Sequence, residues 1–545
     1  MGLEETVITR RSRRGIQESQ VATRSYPPAF IAWFLLIFSI LLSVSFYAGP
    51  LLKHLPNGEV SIGRLLGMLM NKGGTPYLDF VTDKGPIYLL LTQLGSIKIF
   101  VFLIALIIQI FIYYFTLVIL FKMVRRVVLE DKIAFVTTLI AGFLLSRVTF
   151  GGEVASLYVV PLISGSVYIV TSYLDEVGIN DAAFILYGLF GALAAFIDST
   201  QLVFWVVASV FLLVYNLVHH RFKMLIYQVL CVLFGSLLVI FPVFVQAVGA
   251  GNLNALLQNV FNNRLTNLLQ THLNNGVQDS LLVLLLYGVL IPIVPFILSI
   301  FSDTAKRWQN GYILVSLFAG LTLFFTVSGY QIALLAGIVP FLVIILAAWI
   351  KTLSTWRIFP LASNRKLSMI GVLLLLIISS VGLPLAGAAD YGLNLKSAIT
   401  SNQQTSEKKI AAWIKKESSA KDTIFVAVAD SNIYQLASRK PASKYVLQSG
   451  VDLANYQSAS KQLISELKAN QPKYLVIPAK DFEKNAKLSV VQKEIIALAT
   501  ASYQPVQISG VNAKTYYIGQ LKVKAAAAPN ASNVSQTVPD ESVTE

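Results

Sequence analysis

Between Asn57 and Tyr88 the chain reads NGEVSIGRLLGMLMNKGGTPYLDFVTDKGPIY, which gathers Glu59, Arg64, Lys72, Asp79, Asp83 and Lys84 just after the first apolar segment. Acids and cations held together beside a membrane suit group transfer from a lipid-linked donor. A carboxylate takes the proton of an incoming hydroxyl and makes it a nucleophile toward a sugar's anomeric carbon. A cation or a metal stabilises the departing phosphate. Glu59 or Asp79 suits the first task, and Lys84 the second. Further acids fall in loops on the same expected side: Glu153, Asp198 and Asp279. Ionised groups at bilayer depth are costly and face cavities or partners, so these acids point to a site at the outer interface, lined by Tyr77 and Glu153.

Plainer roles compete for each residue. Glu59 also suits the positive end of the amphipathic helix it begins, and Asp83 the cap of a helix opening at Pro86. Lys84 can pair with Asp79 or Asp83, or reach lipid phosphate. Glu153 and Asp198 also fit the ends of membrane spans. The four histidines, His54, His219, His220 and His272, show no metal-ligand spacing. With a single cysteine, Cys231, one chain can build no disulfide framework. The need for a divalent cation is left open.

The elements that position these groups follow from composition. Of 545 residues, 55% are hydrophobic and only 13% charged, and mean hydropathy is +0.67. This is a polytopic α-helical membrane protein. About eleven runs approach the roughly 20 apolar residues a spanning helix needs: 29–49, 98–122, 133–149, 154–173, 182–197, 200–218, 223–247, 279–301, 311–327, 330–350 and 367–388. Between the first two lies the loop 50–97, in which an amphipathic piece from Glu59 to Met70 ends at Gly73-Gly74 and Gly85-Pro86 starts the next helix.

Lysine and arginine set the orientation, because short loops rich in them stay cytoplasmic. Arg10, Arg11, Arg13, Arg14 and Arg24 precede the first span, and alternate loops carry Lys122, Arg125, Arg126 and Lys132, then Arg221 and Lys223, then Lys306 and Arg307, then Lys351, Arg357, Arg365 and Lys366. The basic tail 1–28 is therefore cytoplasmic, and it lacks the features of a cleaved signal peptide. One loop, Asp175 to Asp181, is acidic and breaks the trend. The formal charge of +15 expresses this topology and a basic outer domain, not nucleic-acid binding.

From about Asp390 hydropathy falls. Ile424 to Ala429, Lys473 to Pro478, 502–508 and 514–521 read as strands, and 405–417, 457–469 and 488–500 as helices. An extracytoplasmic α/β domain over 390–524 is expected, after the membrane domain 29–389. It has no GxGxxG or P-loop pattern. The tail 525–545 is small, polar and expected to be disordered.

GGTPYLDFVTDKGPIYLL resembles the PYxDFxDxKGPxxY segment of GT-C class glycosyltransferases, the bacterial ArnT-like and protein-mannosyltransferase-like enzymes. In the C-terminal domain, KIAAWIKKESSAKDTIFVAVADSNIYQLASRKPASKY and QPKYLVI resemble the matching stretches of those proteins. The resemblance implies a polyprenyl-phosphate sugar donor, use of the outer membrane face and an acid of the first loop as catalytic base. Asp79, Asp83, Lys84 and Pro86 match. Relatives usually carry Asp-Glu where this chain has Gly58-Glu59, and a second aspartate where it has Thr82. Their later His-Tyr segment has no counterpart in Ser328 to Pro340. The expectation is a membrane glycosyltransferase acting on a glycan, lipid or protein acceptor of the cell envelope, with Glu59 and Asp79 at the reacting centre, Asp83 and Lys84 binding donor phosphate or a metal, and Glu153 lining the cavity. A lipid-sugar transporter and an inactive envelope scaffold are the rivals.

Overall fold

The computed structural model describes residues 27–44, 58–96, 101–149, 152–175, 181–262, 292–302, 306–326, 332–355, 406–427, 431–446, 457–483 and 488–522. The basic tail before Pro27, His54, His272, Asp279, the expected span 367–388 and the tail 525–545 lie outside the described residues.

Helices follow one another through the first part of the chain: α1 (Ala29–Val44), α2 (Gly58–Asn71), α3 (Pro86–Gly95), α4 (Val101–Val128), α5 (Asp131–Val148), α6 (Ala155–Leu174), α7 (Ala183–Ala195), α8 (Val203–Val218), α9 (Phe222–Gly249), α10 (Ile293–Ser302), α11 (Arg307–Thr326) and α12 (Val339–Thr355). Among the described residues, six helical stretches are long and apolar enough to cross a membrane. The protein is a multi-pass membrane protein. The helix expected at Gly85-Pro86 begins there, with Gly85 as an extended N-cap and Pro86 in the first turn. It ends at Gly95 as a separate helix before α4.

Burial sorts the helices. In α6, small residues such as Ser156, Ser164, Gly165 and Ser166 let neighbours approach on every side, and nearly the whole helix is buried. By contrast, α9 turns Ile226, Leu230, Leu233, Phe234, Leu237 and Phe241 outward, as a lipid-facing helix does. It packs on α7 so closely that a Cβ at Gly188 would fall on the Val232 carbonyl and one at Gly235 on that of Ile185. With 20 residues, α6 spans roughly 30 Å. It thus separates two charged layers. Near its last turn Arg126 pairs with Asp175 at 3.8 Å, which gives the acidic loop beginning at Asp175 a basic partner on α4.

The C-terminal domain contains α13 (Ser406–Glu417), β1 (Thr423–Val426), α14 (Asn432–Ala437), β2 (Lys440–Pro441), α15 (Gln457–Asn470), β3 (Tyr474–Pro478), α16 (Val490–Ser502), β4 (Tyr503–Pro505) and β5 (Tyr516–Leu521). Its sheet runs β2-β1-β3-β5-β4. The first three strands are parallel, β1 to β3 in register Ile424↔Tyr474, and β5 is antiparallel to both β3 and β4. Strand alternation divides the core. Phe425, Leu475 and Ile477 pack with Leu463, Leu467 and Ile495 of α15 and α16. Ile424, Val426, Tyr474 and Val476 belong with Ile410 and Ile414 of α13 to the core continuous with the helical bundle. The domain therefore shares a core with the membrane half.

Candidate functional site

The loop from Gly73 to Gly85 is pinned at several points. Tyr77 is buried and its hydroxyl donates to the Lys84 carbonyl at 2.8 Å. Burial pushes that phenol well above its ordinary pKa, so it stays a donor. The Lys84 N–H donates to Thr82 Oγ1 at 3.2 Å. Gly85 N and Ile87 N donate to the carbonyls of Ile197 and Phe196 at 3.3 and 3.0 Å. A Cβ at Gly85 would fall on the Phe196 carbonyl, so this approach requires glycine.

The pinned loop delivers Lys84 to Glu59 on α2, with Nζ 2.8 Å from Oε1. The same Oε1 accepts from Ala155 N at 3.1 Å. That N–H belongs to the first turn of α6, whose macrodipole favours an anion there. Five residues further along α2, Arg64 grips Glu153 with the Nε–Nη2 edge of its guanidinium, Nε to Oε2 at 2.7 Å and Nη2 to Oε1 at 2.8 Å. Bidentate charge-assisted pairs of this kind are strong and directional. Tyr88 donates to the Glu153 carbonyl at 3.0 Å. Asp198 completes the group, accepting from Ser156 Oγ at 3.1 Å and from Thr200 Oγ1 at 2.5 Å.

These charges are largely out of water. Side-chain exposure is 8% for Lys84, 18% for Glu59 and 10% for Glu153. Burial alone would lower the Lys84 pKa, but Glu59 and then Asp198 outweigh it, and the value rises. Burial opposes the charge of Arg64 too, and Glu153 overcomes it. Both cations are therefore charged. The arrangement presents one buried cation, Lys84, one half-buried cation, Arg64, and three acids around the N-terminus of a helix, which suits an anion bearing a reactive group.

The backbone carries strain at the same place. Tyr77 and Glu153 have φ of 68° and 59°. Left-handed Leu129, His220, Ser438 and Gln471 each stand just behind a helix end, where that conformation is an ordinary cap. Neither Tyr77 nor Glu153 does, and both side chains are held in the network instead. Strain at a position fixed by its surroundings costs on the order of 1–3 kcal/mol and gathers at functional sites.

Of the residues singled out from sequence, Glu59, Lys84 and Glu153 come together, and Tyr77 braces them. Asp83 is buried at 3% exposure. The N-cap residue of α3 is Gly85. Lys84 pairs with Glu59 and not with the aspartates beside it in sequence. Asp79 is exposed on the loop, its Oδ2 accepting from Thr75 N at 2.6 Å. Asp198, one of the loop acids expected on this side, joins the group, whereas sequence reasoning gives Arg64, Tyr88 and Ser156 no role in it. The signal for Arg64 is its place on the same amphipathic helix as Glu59. Among the described residues no group of three or more His, Cys, Asp or Glu side chains is placed to hold a metal ion.

Comparison with known proteins bears on the family and the fold. A family model described as the putative competence-induced protein Ccs4 N-terminal domain matches residues 22–379, and the corresponding C-terminal domain matches 404–522. The crystal structure of ArnT from Cupriavidus metallidurans bound to undecaprenyl phosphate superposes with a TM-score of 0.58 at 13% identity, covering 92% of this chain and 99% of that one. ArnT from the same organism in the apo state gives 0.55 at 14% identity, covering 90% and 97%. No curated protein sequence matches the chain. At such identities the likeness is one of fold, and that fold is shared with ArnT over nearly the whole of both chains.

Proposed function

The chain belongs to the family of the putative competence-induced protein Ccs4, and we propose that it is a membrane glycosyltransferase moving a sugar from a polyprenyl-phosphate donor to a cell-envelope acceptor. The observation that carries this reading is the buried pair Lys84–Glu59 at the N-terminus of α6, beside Arg64–Glu153. A GT-C fold frames it, and the similar ArnT structure holds undecaprenyl phosphate. The positive-inside pattern supports an outward-facing site and α/β domain, with the amino terminus in the cytoplasm.

The chemistry follows from the pairs. A donor phosphate competes with Glu59 for Lys84 and with Glu153 for Arg64, since each cation accepts either anion. Displaced from Lys84, the Glu59 carboxylate becomes free to take the proton of the acceptor hydroxyl. The acceptor oxygen bonds to the anomeric carbon as the bond from that carbon to the phosphate oxygen breaks. The electron pair leaves on the polyprenyl phosphate, whose added charge Lys84 and Arg64 offset. Tyr77 fixes the Lys84 backbone. We assign the base's role to Glu59; Asp79 is exposed on the loop, apart from the pair.

The test compares the sugar composition of envelope fractions from cells carrying the wild-type gene, a deletion, Glu59→Gln and Lys84→Met at equal expression. One sugar missing from the deletion and from both variants supports transfer and names the donor. An envelope changed by the deletion but restored by both variants sinks this reading in favour of a scaffold or a transporter.

A further inference from the structure

The α/β domain grips the charged segment at both ends. Ser61, wholly buried on the first turn of α2, accepts at its carbonyl from Gln435 Nε2 at 2.6 Å. Its hydroxyl accepts from Ser431 N at 3.2 Å, with Ser431 Oγ 3.3 Å away. Ser61 stands two residues after Glu59 and three before Arg64. At the other end of the helix Lys72 Nζ donates to the Ser438 carbonyl at 3.1 Å. Beyond the turn, Val81 N donates to the Lys444 carbonyl at 2.9 Å, two residues before Asp83.

All of these partners lie between Ser431 and Lys444, and that strap is itself held firmly. Arg439, 5% exposed, donates to Ser418 Oγ at 2.8 Å and to the carbonyls of Ala437, Lys415 and Ser418 at 3.0, 3.1 and 2.6 Å. Ser443 Oγ and Lys444 N both donate to Glu466 Oε2, at 2.7 and 3.0 Å. RKPASKY, Arg439 to Tyr445, thus anchors the strap through Arg439 and Ser443, and its Lys444 carbonyl bonds directly to the first loop.

We infer that Gln435 and Ser431 are positioning residues, which fix α2 through Ser61 and so set Glu59 and Arg64 against Lys84 and Glu153. The inference rests on the reading of that cluster as the transfer site. Its physical basis is that a shift of about 1 Å in a reacting group can lower a rate on the order of a hundredfold, and α2 carries both Glu59 and Arg64.

The experiment uses the full-length protein in lipid nanodiscs with Gln435→Leu and Ser61→Ala combined, which removes the cross-domain bonds to Ser61 side chain and carbonyl at little change in volume. Amide hydrogen exchange over Gly58–Asn71 is expected to quicken by up to about tenfold, with β1 and β3 unchanged. For sugar transfer, kcat is expected to fall by roughly tenfold or more while KM for the lipid donor holds. If Glu59→Gln is inactive but the double variant exchanges and turns over as wild type, the positioning inference is overturned. If Glu59→Gln itself transfers sugar normally, it is the reading of the site that falls. A second measurement covers misfolding of the double variant. Ser61→Cys with Ser431→Cys, in a Cys231→Ser background, is expected to crosslink under mild oxidation and to keep its activity. Failure to crosslink, or activity lost on crosslinking and regained on reduction, overturns the inference.

Discussion

Lys84 Nζ stands 2.8 Å from Glu59 Oε1, so the cation best placed for a phosphate and the acid best placed for a proton hold each other. On the proposed reading, a donor phosphate drawn to Lys84 loosens its hold on Glu59 and so couples donor binding to release of the base. Lys84→Met is expected to reduce sugar transfer by a hundredfold or more. It also strands a largely buried carboxylate, and breaking such a pair from one side costs about 3–5 kcal/mol. Lys84→Met combined with Glu59→Gln should recover most of that stability in thermal unfolding while recovering no transfer. A double variant as unstable as Lys84→Met alone would show that the pair is not what Lys84 contributes.

The same pair sets a pH dependence. The Lys84 pKa is raised in the folded protein above its ordinary 10.5, so folding favours the protonated form. The contribution is fully present below 10.5 and is lost as pH rises through the higher folded value. The difference in unfolding temperature between wild type and Lys84→Met should therefore stay level from neutrality to about pH 10 and shrink above it. A difference that already shrinks between pH 7 and 9 would contradict a charge kept by Glu59 and Asp198.

Arg64 and Glu153 test geometry as well as charge. Arg64→Lys keeps the charge but loses the two-bond grip, which only the planar guanidinium makes. It is expected to lower transfer at least tenfold. At Glu153 the left-handed φ of 59° reverses the usual ranking of small residues. Glu153→Gly should be about 1 kcal/mol more stable than Glu153→Ala, because glycine alone adopts that conformation without penalty. Chemical denaturation of the two variants decides it, and an alanine variant as stable as the glycine one would remove the strain from the account.

How much of this was legible in the sequence differs by element. The apolar runs at 98–122, 154–173 and 223–247 correspond to α4, α6 and α9, because apolar length is itself what defines a span. The alternation in IFVAVA and KYLVIP yielded β1 and β3 for a similar reason: both faces of the sheet are covered, one by α13 and the other by α15 and α16. The short helix α14 and the two-residue β2 were not read, since six residues and two carry too little periodicity. The chemistry of the loop was legible as a cluster of residue types, but its pairing was not. Arg64 meets Glu153 across 89 positions, and Lys84 passes over Asp83 and Asp79 to reach Glu59. Helix packing chooses those partners, and sequence spacing does not record it.

Gly85 is where the backbone alone can be tested. Its amide donates to Ile197 while the space for a Cβ is taken by the Phe196 carbonyl, so Gly85→Ala must push the loop away from the turn before Asp198. Overpacking of this kind costs about 1–3 kcal/mol, and the displacement falls on Lys84, the next residue back. Transfer should drop by more than tenfold although no ionisable group has changed.

Asp79 separates the two candidate bases. Its carboxylate accepts one backbone hydrogen bond, from Thr75, at an exposed turn. Asparagine keeps an acceptor oxygen for that bond, so Asp79→Asn should unfold within about 0.5 kcal/mol of wild type, as ordinary surface substitutions do. If Glu59 is the base, Asp79→Asn retains most of the transfer that Glu59→Gln abolishes. Measuring both variants at equal expression, by the envelope sugar they restore, settles the assignment. An inactive Asp79→Asn beside an active Glu59→Gln would move the base from the buried pair to the exposed loop.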